Sequence, residues 1–169
     1  MATIQISDLL LDTYTKGLHA LLHILDVAAS HAAANNLNPD AYLDARLIDD
    51  QRPLSFQIQN ATRQIRLVVA RVSGVDVPGV EDTEKTLDEF RGRIASALEF
   101  VKGVDKSGID AVAARGERVT QPFGPGLSTQ VTARDAVLGH AIPNFYFHVS
   151  TAYGILRSQG VPLGKKDWI

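Results

Sequence analysis

Four stretches of this chain repeat apolar residues at the spacing of an α-helix, and this repetition limits the fold more than any other feature. The first runs from about Ile6 to Asn35, with Tyr14, Leu18, Leu21, Leu22, Leu25, Ala28, Ala29 and Ala32 on one stripe. The second begins near Pro53, a residue suited to a first helical turn. Its inward face reads Leu54, Ile58, Ala61, Ile65, Val68 and Val72, and Ser73-Gly74 closes it. The third is expected over about Thr83 to Lys102, capped by Asp82 or Thr83, with Leu87, Phe90, Ile94, Ala97, Leu98 and Val101 inward. The fourth begins near Thr132, whose spacing to Asp135 resembles a capping box. It buries Val137, Ala141, Phe145, His148, Ala152 and Ile155 before Ser158-Gln159-Gly160 and Pro162 end it.

Four such stripes can leave water only by facing one another. The expected fold is therefore all-α, a four-helix bundle forming one domain over residues 1–169. Pro39 to Leu43 reads as a short helical turn. Between the third and fourth helices, Glu117 to Phe123 and Leu127 to Val131 flank Gly124-Pro125-Gly126, the pattern of a short hairpin.

Composition removes several functions. The chain has no cysteine, so it has no disulfide, thiolate metal site or thiol nucleophile; a metal would need histidines and carboxylates. Net charge is -2 with scattered Lys and Arg, which provides no electrostatic footprint for nucleic acid. No window approaches the roughly 18 uninterrupted apolar residues of a membrane span. The N-terminal run lacks a basic start followed by a long apolar stretch, so no signal peptide is read and a cytoplasmic location is expected. Asn60-Ala61-Thr62 matches a glycosylation acceptor but falls inside the second helix.

One residue breaks the apolar pattern. His148 sits about 40° from the centre of the fourth helix's stripe, where an aliphatic side chain would be ordinary. An imidazole in a helical core must be hydrogen-bonded, held neutral, bound to a metal or exposed to a pocket. Asn144 and Thr151 flank the same side and form a polar seam. Pro143 lacks an N–H and crowds the Gly139 carbonyl, so a kink is expected there. On the second helix, Gln57 and Gln64 are seven apart and share a line that Asp50 extends backward. These residues either gather with His148 around a polar cavity or reach water at the bundle edge, His148 then being satisfied by a neighbour.

Other patterns are weaker. His19, His23 and Asp26 have chelate spacing, but His19 lies about 125° and His23 about 165° from the centre of the first helix's stripe, and His31 also points away. His140 and His148 are separated by roughly 12 Å along a regular helix. No metal site is expected. The run Gly160 to Lys166 has the wrong glycine spacing for a phosphate loop, and no G-x-S-x-G is present. The aromatic run Phe145-Tyr146-Phe147 must place rings outside its own stripe. Tyr146, Tyr153, Phe56 and Leu67 are read as outward, covered either by a second copy in a homodimer or by the connection 104–131.

The run Pro143-Asn144-Phe145-Tyr146-Phe147-His148, then Thr151-Ala152-Tyr153, Ile155-Leu156-Arg157 and Gly160 to Lys165 with Asp167, resembles the domain-of-unknown-function family nineteen-ninety-three. Arg46-Leu47, Asp50, Pro53-Leu54 and Gln57 resemble the same family's upstream segment, with Gln51 in place of its usual Met, and Ala70-Arg71 and Gly74 also fit. That family is similar to the DinB/YfiT-like four-helix bundles. Many of those bind a divalent metal through three histidines, and some act as thiol-dependent transferases or isomerases. The resemblance implies the fold and the place of a site rather than the metal, because three inward histidines cannot be assigned in this chain.

Three functional readings follow. In the first, a pocket in the bundle binds a small molecule and performs proton transfer of the elimination or isomerisation type. His148 is then general acid or base, Asp50 its partner, and Asn144, Gln57 and Thr151 hold the substrate. The second is a divalent-metal transferase like the family's relatives. The third is a non-catalytic dimeric protein whose His148 satisfies a core hydrogen bond.

Overall fold

A computed structural model describes residues 4–169. Helix α1 spans Ile6–Ala34, α2 Leu54–Ser73, α3 Leu87–Lys102 and α4 Lys106–Ala114. Strands β1 (Arg118–Gly124) and β2 (Leu127–Thr132) follow, then the short α5 (Ala133–Asp135) and α6 (Ile142–Ser158). The four long helices close a ring, α1 against α3, α3 against α2, α2 against α6 and α6 against α1. The inward stripes supply the core, and Tyr14, Phe90 and Phe145 are its largest fully buried side chains. This is the all-α bundle expected from the periodicity, with the small hairpin in its expected place.

Local chemistry sets the ends. Asn38 accepts from the Asp40 N–H at 3.0 Å to start the 3-10 turn Pro39–Asp44. The third helix starts later than its composition implies. Its cap is Thr86, in a reciprocal capping box with Glu89, and neither Asp82 nor Thr83. Asp82 is otherwise engaged, accepting from Arg63 and, at 2.8 Å, from Arg93. Arg93 is itself buried. It donates to Thr62 Oγ1 at 2.6 Å, the Glu81 carbonyl at 2.8 Å and Glu84 at 2.8 Å, and so ties the stretch before α3 to α2. Helix α4 carries too short a repeat to be read from the chain. It is capped by Asp105 and anchored to α1 where Asp110 accepts from the Ser7 N–H at 3.0 Å and its hydroxyl at 2.7 Å.

The hairpin is antiparallel, Arg118 facing Thr132, with an irregular register between Pro122 and Gly124. Beyond it, Thr132 caps the next turn by accepting from the Asp135 N–H at 3.1 Å. Residues Ala136–Ala141 then form a π-helical turn that runs on into α6 without leaving the right-handed helical region. The irregularity expected at Pro143 thus takes the form of a wider turn just before it, where the Ile142 N–H reaches the Val137 carbonyl five residues back.

Helices α1 and α6 approach closely at Gly17. A Cβ built there would lie 2.3 Å from Phe145 Cε1. Phe145 also meets Tyr14 edge-on, with ring centroids 4.9 Å apart. Gly17→Ala is expected to lower stability by about 1–3 kcal/mol in chemical denaturation, despite alanine's better helix propensity, because a fully buried ring must move. A Phe145→Leu background should recover part of that loss.

Candidate functional site

The geometry around His148 begins with an amide. Gln57, one turn into α2, is 2 % exposed, and His148, midway along α6, is 7 % exposed. Gln57 Nε2 donates to the Arg52 carbonyl at 3.0 Å, which fixes the orientation of the amide. Its Oε1 therefore faces His148 Nδ1, 2.8 Å away, and can only accept. Nδ1 must carry the hydrogen, and the lone pair of the neutral ring resides on Nε2. The phenyl rings of Phe56 and Phe147 meet the imidazole edge-on, with centroids at 6.1 and 5.3 Å. Burial, and then the charge of Arg63, push the His148 pKa down to about 4. The site thus presents a neutral, oriented, lone-pair-bearing nitrogen.

The remaining sequence-predicted residues divide. Thr151 is buried, and its hydroxyl donates to the Phe147 carbonyl at 2.7 Å, one turn back along its own helix. Asn144 and Gln64 are half-buried. Asp50 is exposed, in the turn ahead of α2, and the hydrogen bond orienting His148 comes from Gln57. Gln51 Oε1 and Asn60 Oδ1 are buried without a partner, and Asn60 lies one turn beyond Gln57. Arg52 lies over the Phe56 ring, 5.3 Å from its centroid.

A second polar group sits at the other end of the same helix pair, unnoticed in the sequence. Arg71 donates to Gln121 Oε1 at 3.0 Å, Gln121 being oriented by donation to the Pro122 carbonyl at 2.7 Å. Arg71 faces His140 of the π turn and the buried Tyr14, whose hydroxyl has no partner. Burial raises the Tyr14 pKa, against the opposing charge of Arg71, and burial followed by Arg71 lowers that of His140. The signal for this group was Gln57, Gln64 and Arg71 recurring every seven residues along one line of α2.

Of the outward histidines of α1, His19 and His23 are exposed and His31 is half-buried. His23 Nε2 lies 3.0 Å from Asp167 Oδ1, and His31 Nδ1 lies 2.8 Å from the Tyr42 hydroxyl. Tyr146 and Tyr153 are covered by Trp168, with centroids at 6.2 and 6.0 Å, rather than by the connection 104–131. Phe147 and Leu67 stay exposed.

The family model described as a domain of unknown function (DUF1993) matches residues 6–169. The chain belongs to this family. A solved structure of a DinB family member protein from Shewanella denitrificans is 38 % identical, over 96 % of this chain and 90 % of that one, with a TM-score of 0.86. No curated protein matches. The bundle of this DUF1993 protein is thus DinB-like, and no helix among the described residues is long and apolar enough to cross a membrane.

The divalent metal associated with such bundles does not fit these residues. Three or more donors are needed, and the seam offers one imidazole nitrogen beside an amide oxygen already accepting from that ring. No group of three or more His, Asp or Glu side chains with ligand geometry occurs among the described residues. The nearby charge of Arg63 further opposes a cation.

Two outcomes follow. His148 is unprotonated in the native state down to about pH 4, while the unfolded chain takes up a proton near 6.5. Acid therefore favours unfolding within that window. Relative to His148→Leu, the native protein should lose on the order of 3 kcal/mol between pH 6.5 and pH 4, read by urea denaturation at each pH. Tyr14→Phe, which deletes a buried hydroxyl without a partner, should leave the melting temperature unchanged or raise it.

Proposed function

We propose that this protein binds a small molecule at the seam between α2 and α6 and that His148 Nε2 takes a proton from it. The reading rests on one observation, the Gln57 amide that locks the imidazole into its Nδ1–H form and leaves the lone pair on Nε2. A nitrogen so prepared accepts a hydrogen bond from a hydroxyl, an N–H or an acidic C–H. With its pKa near 4 it is a weak base in the free protein. An anionic ligand offsets the charge of Arg63, returns the imidazole toward neutrality-range basicity and so couples binding to proton transfer. Isomerisation or elimination next to a carboxylate is the reaction class that suits this coupling. In this reading half-buried Asn144 and the unpartnered Asn60 Oδ1 hydrogen-bond to the ligand, and exposed Asp50 can receive the proton.

Gln57 is a positioning residue in this scheme. Replacing it by Glu puts a carboxylate against Nδ1–H, and the His148 pKa should rise from about 4 past 6.5 in an NMR titration of the ring protons. An unmoved titration would mean that Gln57 does not hold the ring in solution. For function, a thermal-shift screen of small hydroxy and keto acids should find compounds that raise the melting temperature of the native protein. The same compounds should fail to protect His148→Ala, whose helical circular dichroism is retained. Equal protection of both proteins would refute the role of His148.

A further inference from the structure

On α6, Tyr146 is two residues and about 200° from His148, so it faces the other side of the helix. There α1, α6 and the segment after α6 enclose an open groove of about 650 Å³, in the size range of small-molecule sites. Gly17 and Ala20 line it from α1. Tyr146 and Trp168 form an aromatic wall, with centroids 6.2 Å apart. The wall is held from behind by Tyr153 against Trp168 at 6.0 Å.

The charged side chains lining this groove are two cations, Lys16 and Lys166, and one anion, Asp167. Asp167 is the acidic side chain among them, and it is engaged twice, by His23 Nε2 at 3.0 Å and by the Gly164 N–H at 2.7 Å. These two bonds, with Lys166 beside it, hold its carboxyl below the usual range, so it remains an anion committed to its partners. Lys16 and Lys166 line the same groove, and among the described residues neither belongs to an ion pair. His19 adds a third nitrogen donor or acceptor at the rim. Ile169 lines the groove as well and is 85 % exposed.

We propose that this groove binds a small aromatic carboxylate, its ring against Tyr146 and Trp168 and its carboxylate facing Lys16 and Lys166. An apolar wall beside unpaired ammonium groups selects a ligand with one flat apolar end and one anionic end. The site is separate from the His148 seam, since none of its lining residues belongs to that seam.

Trp168 is the sole tryptophan, so its indole N–H gives one isolated NMR signal that reports this groove. Titration with 2-naphthoate should move that signal saturably, while the uncharged 2-naphthalenemethanol should bind about tenfold more weakly or not at all. In Lys16→Ala/Lys166→Ala, both changes at exposed positions, the naphthoate Kd should rise about tenfold. In His148→Ala it should be unchanged, which separates this site from the proposed one. No saturable indole shift, equal affinity for acid and alcohol, or an unaltered Kd in the double variant would each overturn the proposal.

Discussion

The seating of Phe145 against Gly17 is the contact on which the rest depends. A helix with apolar residues on a broad stripe can rotate through tens of degrees and still bury most of them. A ring lodged where a side chain of α1 would otherwise be allows one rotation only. With Phe145 fixed and Tyr14 closing over its edge, the azimuth of every other α6 residue is set. His148, three positions on, turns toward α2, and Tyr146, one position on, turns toward the C-terminal segment. Both candidate sites are consequences of one packing choice.

Burial has a chemical price at His148 that the protein meets with a single amide. An apolar surround disfavours the imidazolium, and Arg63 disfavours it further. The neutral ring still has one N–H needing an acceptor, which Gln57 provides while its own N–H is spent on the Arg52 carbonyl. The chain of bonds is directional, and it leaves the ring's reactive electron pair at the end that is not consumed by the protein. The fixed polarity is the premise on which the proposed ligand role of His148 stands.

Much of this was legible along the chain because it follows from local periodicity. The inward face of α6, with His148 on it, comes straight from residues three and four apart, and the Thr132 cap and the Gly124-Pro125-Gly126 turn are local too. What escaped depends on partners distant in sequence. Helix α3 begins at Leu87 because Asp82 and Glu84 are drawn to Arg93, whose burial no local pattern announces. Helix α4 is nine residues long, too short for its repeat to stand out, and it is held by Ser7 from more than a hundred residues away. Gln57 was visible as one of two glutamines on a line, but only the three-dimensional meeting with His148 separates it from Gln64. The cover over Tyr146 and Tyr153 comes from Trp168, beyond the last long helix.

The π turn at Ala136–Ala141 resets the rotation of the chain ahead of α6. Such turns hold one residue more than an α-helix of the same rise. Here α6 is locked by Phe145, so the surplus residue is absorbed upstream. Everything before it, including the hairpin that brings Gln121 to Arg71, is turned by about 100° from where an uninterrupted helix would carry it. Deleting one residue from that turn would therefore swing the hairpin away from Arg71 and leave His148 where Phe145 holds it.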